Sequence, residues 1–229
     1  MEQPELLIVL TGFGPFQSCT DNPSEALVRK IAKEGISDVL PNARVIGEVI
    51  SVAYDDVDNA ISELWQKHRP DFVIHLGYHA EDRCIKIEKK SCGIGYVLCD
   101  VKEKTPQNYR CPLAGCSNRE EENTIFCGLD CQKLLRAVQT IFVGKNVQFE
   151  LSCDPGRYLC AYSYYISLRH NKDCCLFVHI PSFDDVCTVD LVASVIKQII
   201  VLSMQQILEK REKQNFALET GDKCSLFGI

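Results

Sequence analysis

Apolar strands and amphipathic helices alternate in the first third of the chain, and this order constrains the fold more than any other feature. The first apolar run, Leu6-Leu7-Ile8-Val9-Leu10, has the length of a buried strand, and similar runs cover residues 44–52 and 71–76. Between them lie two helical patterns, one opening on the N-cap sequence Asn22-Pro23-Ser24-Glu25 and one starting at Asp55. This β-α-β-α-β order predicts an α/β protein whose helices cover a mainly parallel, twisted sheet. We expect a single three-layer α/β/α domain over residues 1–229.

The rest of the chain repeats these kinds of segment after an irregular stretch. Residues 91–128 are polar, rich in cysteine and in turn-forming residues, and lack a long periodic segment, so they predict an insertion rather than a second domain. A helix is predicted over residues 129–141, strands over 147–151 and 174–181, and a long helix after Thr188. We expect residues 213–229 to form a flexible tail.

Charge and hydropathy exclude several classes of partner. The 229 residues carry a formal net charge of −6 with a pI near 5.4, which argues against nucleic acid or an anionic membrane as the main partner. No uninterrupted apolar run approaches the ~20 residues that cross a bilayer. The start, Met1-Glu2-Gln3-Pro4-Glu5, lacks the basic-then-apolar layout of a signal peptide. We therefore expect a cytoplasmic protein.

Fourteen cysteines would suggest disulfides in a secreted chain, but without a secretion signal they predict reduced, mostly buried thiols. Seven of them fall between residues 84 and 131, which raises the question of a zinc site. No pair there has the C-x-x-C spacing and no histidine lies among them. We therefore predict neither a metal site nor a cofactor.

One turn places a cysteine where a nucleophile is favoured. The strand over residues 147–151 is followed by Asp154-Pro155-Gly156, and a helical run begins near Cys160. Asp bonds to the backbone that follows it, Pro presets φ and Gly tolerates positive φ, so the three residues favour a turn. The free N–H groups and the dipole of a helix start favour a thiolate over a thiol. Spacing alone leaves open whether Cys160 is a nucleophile or one more buried thiol.

The residues that would assist such a nucleophile have two interpretations each. His179 ends a predicted strand, where histidines are catalytic in some hydrolases and structural in many other proteins. His75 is predicted to be structural. In Ile85-Lys86-Ile87-Glu88 the alternation predicts that Glu88 lies on a solvated sheet face. Phe13 and Phe16, on the loop after the first strand, either line a small pocket or fill the core.

Four motifs, taken together and in order, resemble the pyroglutamyl-peptidase I family of cysteine peptidases. They are Thr11-Gly-Phe-Gly-Pro-Phe16, Ile85-Lys-Ile-Glu88 with Gly95-Tyr96 beyond it, Asp154-Pro-Gly-Arg-Tyr-Leu-Cys160, and Phe177-Val-His-Ile-Pro181. Matching segments run from about residue 5 to residue 205, so the resemblance covers most of the chain. The Cys-rich stretch is similar to the longer insertion of animal-type members.

The resemblance implies a thiol exopeptidase, an omega peptidase that hydrolyses the bond after an N-terminal pyroglutamyl residue. Cys160 would attack the carbonyl, and its backbone N–H would help bind the oxyanion. His179 would act as general base and then as acid, while Glu88 would orient the imidazole. The same resemblance assigns Phe13, Phe16 and Tyr158 to binding of the substrate. It implies small pyroglutamyl peptides as partners and a monomer or weak homo-oligomer.

The chain departs from the family pattern at several positions near these motifs. Pro155 replaces a small residue, and Ala161 stands where Asn or Asp is common. Ser51 occupies a position that is often Pro, and Tyr78-His79 is bulkier than the usual loop. These differences leave the triad of Cys160, His179 and Glu88 intact, but they motivate an alternative function. The alternative is a weak or inactive paralogue that binds pyroglutamyl peptides or acts as an interaction module.

Overall fold

The computed structural model describes residues 5–16, 19–80 and 83–219, which form eight strands and five α-helices. The strands are β1 (Leu6–Phe13), β2 (Ala43–Ile50), β3 (Phe72–Tyr78), β4 (Cys84–Glu88), β5 (Lys90–Cys92), β6 (Thr124–Phe126), β7 (Gln148–Ser152) and β8 (Cys175–Ile180). The helices are α1 (Pro23–Glu34), α2 (Tyr54–His68), α3 (Cys131–Ile141), α4 (Leu159–Asn171) and α5 (Val189–Glu219).

Six of the strands form one twisted sheet in the order β2-β1-β3-β8-β4-β7. Strands β1, β2, β3 and β8 are parallel, whereas β4 pairs with β8 in the antiparallel sense and with β7 in the parallel sense. The prediction of a mainly parallel sheet is therefore confirmed. Since β1, β3 and β8 are parallel, their carboxyl ends lie at one edge of the sheet, where α/β proteins place their sites.

Each face of the sheet packs on its own hydrophobic core, which gives the three layers. One core joins the sheet to α1, α3 and α5, and the other joins it to α2 and α4. Side chains alternate between the faces, so Phe177 lies in the core under α4 while its neighbours Leu176 and Val178 lie in the core under α5. The central strands are buried on both sides, which explains their nearly continuous apolar sequences.

The predicted insertion, residues 91–128, is mostly irregular and has a two-stranded ladder at its ends. Strands β5 and β6 pair in the antiparallel sense beside α4, and two short 3₁₀ turns lie between them. Within the insertion, Tyr96 and Cys111 join the core under α4. The insertion therefore packs on the body of the protein and covers the outer side of α4.

The final helix, α5, extends beyond the apolar face that its sequence predicts. Val192, Val195, Ile196, Ile199 and Ile200 are fully buried, as predicted. Residues 213–219 continue α5, and residues 220–229, the rest of the predicted tail, lie outside the described residues. By length and composition Val189–Leu218 is also able to cross a membrane, but 56% of its most apolar window is buried inside the protein. The apolar side chains of α5 that pack on the sheet account for the high hydropathy of the helix.

Candidate active site

The turn before α4 has the geometry that its sequence predicts. The backbone N–H of Gly156 donates to the Asp154 carboxylate at 3.1 Å, and Gly156 has a φ of +81°, which favours glycine. Helix α4 starts at Leu159, with the extended residue Tyr158 as its N-cap, and the Tyr158 side chain makes no capping hydrogen bond. Cys160 is therefore the second residue of the helix, with a partly exposed thiol.

A glycine on β3 makes room for the Cys160 thiol. A β-carbon added to Gly77 would lie 2.9 Å from Cys160 Sγ and 2.7 Å from the ring of Phe177. Gly77 is also the register partner of His179 on β8. The first turn of α4 therefore rests directly on the end of β3, next to the strand that carries His179. The sequence reasoning did not assign this role to Gly77, although a glycine that ends an apolar strand is a signal for close approach.

Glu88 and His179 form a buried pair on the same face of the sheet. His179 Nδ1 and Glu88 Oε1 are 2.7 Å apart, and the relative exposures of the two residues are 8% and 0%. The alternation of β4 predicted a solvated carboxylate, and that prediction is wrong. Glu88 is the register partner of Phe177, whose ring packs in the core under α4, so this face of the strand is covered. The resemblance to a known family, in contrast, predicted this contact.

The surroundings of His179 favour its charged form. Burial by itself lowers the pKa of His179, but hydrogen bonds to Cys160 and to Glu88 outweigh this effect and raise it to about 9. Glu88 Oε2 is buried without a hydrogen-bond partner among the described residues. A carboxylate in this position needs a neighbouring cation, since the cost of burying an unpaired charge is several kcal/mol. The imidazolium of His179 supplies that cation.

The three aromatic residues predicted to bind substrate belong to the same hydrophobic core as Cys160. Phe13 is buried in this core, and Phe16, Tyr158 and Cys160 are partly buried against it. Burial raises the pKa of the Tyr158 hydroxyl, and the neighbouring Asp100 carboxylate adds to the rise. Phe13 is thus a core residue by its exposure, while Phe16 and Tyr158 keep an accessible side.

Two further histidines, His75 and His170, have structural surroundings. His75 lies inside β3 rather than at its end, and its two ring nitrogens are 2.7 Å from the hydroxyls of Thr11 and Ser167. Burial lowers the pKa of His75 to about 3, so this imidazole is neutral at physiological pH. His170 is exposed at the end of α4 and stacks on Trp65, at 5.7 Å between ring centroids.

Two of the residues that depart from the family pattern, Tyr78 and Ala161, lie in different places relative to the Cys160 thiol. Tyr78 lies on the opposite face of the sheet from Gly77, where it lines a cavity of about 610 Å³ beside Asn22 and accepts a hydrogen bond from Ser182. Ala161 is buried, and its carbonyl accepts a 2.6 Å hydrogen bond from Ser91 of the insertion. Ala161 thus lies in a covered first turn, whereas Tyr78 belongs to a separate cavity.

Two cysteines of the 84–131 stretch, Cys127 and Cys131, are hydrogen-bonded to each other. Cys84, Cys92, Cys111 and Cys131 are buried, whereas Cys99 and Cys116 are exposed. Over the ranges that the structure describes, no three His, Cys, Asp or Glu side chains come together in a way that could hold a metal ion.

Comparisons with known proteins converge on one family. A family model described as "Putative pyroglutamyl peptidase PgaPase_1" matches residues 5–184. The chain is 32% identical to pyroglutamyl-peptidase 1 of Mus musculus over 213 residues, which are 93% of this chain and 96% of the mouse protein. Identity and coverage are the same for pyroglutamyl-peptidase 1 of Homo sapiens.

Among solved structures, the fold is similar to that of pyrrolidone carboxyl peptidase from Pyrococcus furiosus. The TM-score is 0.74 at 20% sequence identity, and the match covers 88% of this chain and all of the archaeal chain. This likeness supports the three-layer α/β/α assignment made from the strand and helix order.

Proposed function

The chain belongs to the pyroglutamyl peptidase family, and from this premise we propose that it is a cysteine exopeptidase that removes N-terminal pyroglutamate from peptides. The observation that carries the proposal is the contiguous arrangement of Cys160, His179 and Glu88, with 2.7 Å between His179 and Glu88. The names of the mouse and human relatives support the choice of substrate. The proposed substrates are small peptides whose first residue is pyroglutamate.

In the reactive form of the site the proton of the Cys160 thiol has passed to His179, whose surroundings favour the imidazolium. The resulting thiolate attacks the pyroglutamyl carbonyl, and the backbone N–H groups of the first turn of α4 stabilise the oxyanion of the tetrahedral intermediate. The His179 imidazolium then donates its proton to the leaving amine as the C–N bond breaks, which leaves pyroglutamate bound to Cys160 as a thioester. Water activated by His179 attacks the thioester, and release of pyroglutamate restores the thiol.

Glu88 acts on this sequence through His179. Its carboxylate accepts the Nδ1–H of the ring, which holds the other nitrogen toward Cys160 and stabilises the positive charge that the ring carries in the first step. Phe16 and Tyr158 contact the pyrrolidone ring, and Phe13 supports them from the core. Pyroglutamate has no charged amino group, so apolar walls suit it better than a carboxylate would.

We place the enzyme in the cytoplasm, where its thiols remain reduced. Nothing in the proposed reaction requires a cofactor or a metal ion. A monomer or weak homo-oligomer remains the prediction for its assembly state.

The test is hydrolysis of a fluorogenic coumarin amide of pyroglutamate by the purified, reduced protein. We expect turnover by the wild type and a loss of at least about 1,000-fold for Cys160→Ala, since removal of a nucleophile eliminates the covalent route. Cys153→Ala is the matched control, because Cys153 is an exposed thiol on the same turn. We expect its kcat/KM to stay within about twofold of the wild type.

Two outcomes would contradict the proposal. One is full activity in Cys160→Ala. The other is a folded wild-type protein that binds a pyroglutamyl peptide, measured by calorimetry, and does not hydrolyse it. This second result would identify a non-catalytic binding protein, the alternative that the substitutions at Pro155 and Ala161 raise.

A further inference from the structure

Three apolar side chains of the insertion remain exposed next to the candidate active site. Val97, Leu98 and Val101 are 60%, 57% and 46% exposed, and we call these three residues the 97–101 patch. Single exposed apolar residues are ordinary, but a cluster on one short segment is characteristic of a surface that binds another molecule.

Backbone and carboxylate contacts hold the patch in place without using its side chains. The hydroxyl of Tyr54 donates to the carbonyl of Leu98 at 3.1 Å, and the N–H of Val101 donates to the carbonyl of Val52 at 3.2 Å. The buried Asp100 carboxylate accepts the N–H of Tyr54 at 2.9 Å, which caps α2. The apolar side chains are therefore presented on a fixed loop, free to contact a ligand.

The patch is continuous with the proposed active site. Its anchor Tyr54 starts α2 directly after the carboxyl end of β2, at the same edge of the sheet as the ends of β1, β3 and β8. The ring of Tyr54 packs edge to face against Tyr158, with 6.1 Å between centroids. Tyr158 precedes Cys160 by two residues, so a row of neighbouring groups runs from Cys160 through Tyr158 and Tyr54 to the backbone of Leu98.

The two lysines next to the patch are both paired with carboxylates. Lys102 pairs with Asp56 at 2.6 Å and Lys104 pairs with Asp55 at 2.9 Å. Asp100 is occupied by backbone N–H groups. An anionic ligand therefore gains little at this surface, whereas apolar side chains of a ligand gain from covering the patch.

We propose that the 97–101 patch binds the part of the peptide that follows pyroglutamate and selects substrates with bulky apolar residues there. This inference rests on the proposed function. An extended peptide advances roughly 3.5 Å per residue, so the first few residues beyond the cleaved bond span the row from Cys160 past Tyr158 to Leu98. The substrate is the natural occupant, because its remaining chain must leave the site across this edge.

The experiment compares two tripeptide amides, pyroglutamyl-Leu-Leu and pyroglutamyl-Gly-Gly, by their kcat/KM with wild type and variants. We expect the wild type to prefer the leucine peptide by about tenfold, the effect of partly burying apolar side chains. The combined variant Val97→Ser and Leu98→Ser should reduce this ratio to about one, chiefly through KM for the leucine peptide. Val143→Ser is the matched control, since Val143 is 79% exposed and follows α3 on the other face of the sheet.

Each result separates this inference from the function on which it depends. If neither peptide is hydrolysed by the wild type, the proposed function fails. If both are hydrolysed with equal kcat/KM, or if the double serine variant loses activity equally on both, the peptidase stands and the role of the patch is wrong. Concentration-dependent association in sedimentation that the double variant abolishes, with the substrate ratio unchanged, would instead assign the patch to a second copy of the chain.

Discussion

The Glu88 carboxylate lies in an environment that is unfavourable for a charged group. It is fully buried, one of its oxygens bonds to His179 Nδ1 at 2.7 Å, and the other has no hydrogen-bond partner in the described part of the chain. Burial of an ion is compensated only by a close opposite charge. The pair therefore favours the imidazolium form of His179, in accord with its pKa of about 9.

The raised pKa of His179 beside Glu88 predicts the alkaline limit of activity. If the leaving amine takes its proton from the imidazolium, kcat/KM should fall as the pH rises through about 9. In Glu88→Gln the neutral amide no longer stabilises the charged ring, so the pKa of His179 falls and the alkaline limb moves to lower pH. We also expect kcat to drop by at least about 100-fold. The measurement is kcat/KM against pH for both proteins.

Glu209→Gln is the control for this prediction. Glu209 lies on α5, which packs on the other face of the sheet from His179, and it pairs with Lys133 at 4.0 Å. Its pH profile should match that of the wild type. An unchanged alkaline limb in Glu88→Gln would mean that the carboxylate does not control the protonation of the catalytic ring.

Helix α4 is unusual because it has almost no polar face. From Leu159 to Leu168 every residue except Cys160 is buried. A helix that is apolar on all sides must be covered on all sides. The sheet and α2 cover part of it, and the insertion covers the rest through contacts such as the Ser91–Ala161 hydrogen bond and the packing of Gly93 on Tyr165. The insertion therefore completes the core that holds Cys160, the proposed nucleophile.

The close approach of α4 to β3 predicts the effect of one added methyl group. In Gly77→Ala the new β-carbon would lie 2.9 Å from Cys160 Sγ and 2.7 Å from the Phe177 ring, so the thiol or the helix must move. We expect kcat to fall by about 10- to 100-fold, because a displacement of ~1 Å at a nucleophile has effects of this size. Alkylation of Cys160 by iodoacetamide should slow in parallel.

Gly115→Ala serves as the control substitution. A β-carbon there would have one neighbour, the Asn123 side chain, at an ordinary distance of 3.6 Å. We expect wild-type turnover and alkylation rates. Full activity in Gly77→Ala would show that the thiol tolerates the shift, and that the contact with β3 does not set its position.

At the scale of the whole molecule, two buried histidines shape the dependence of stability on pH. Folding raises the pKa of His179 from 6.5 to about 9, so its stabilisation is complete below pH 6.5 and is lost as the pH rises through 9. Folding lowers the pKa of His75 from 6.5 to about 3. The stabilisation by its neutral imidazole is therefore complete above pH 6.5 and is lost as the pH falls from 6.5 towards 3. The two effects predict maximal stability near pH 6.5.

We expect the free energy of unfolding to decrease by about 3 kcal/mol between pH 6.5 and alkaline pH through His179 alone. Urea unfolding at acidic, near-neutral and alkaline pH measures this change. In His179→Gln the alkaline decrease should disappear, whereas His68→Gln, at the half-exposed end of α2, should keep the wild-type profile. A wild-type stability that rises from pH 6.5 to 9 would contradict the assignment.

The sequence by itself determined the layered fold and the position of Cys160, the proposed nucleophile, at the start of a helix. Strand and helix order depend on local periodicity, and the turn at Asp154 and Gly156 depends on the conformational preferences of single residues, so both are encoded within a few positions. The motifs also pointed to the family, through which Glu88 and His179 were joined to Cys160.

Only the tertiary structure decided that both faces of β4 are buried and what covers α4. Alternation says that Lys86 and Glu88 share a face, but that face is covered by the layer of α4, which lies far along the chain. The contact of Gly77 with Cys160 and the placement of the 97–101 patch beside Tyr158 likewise depend on segments far apart in the chain. Such contacts follow from how the layers pack, which no local pattern contains.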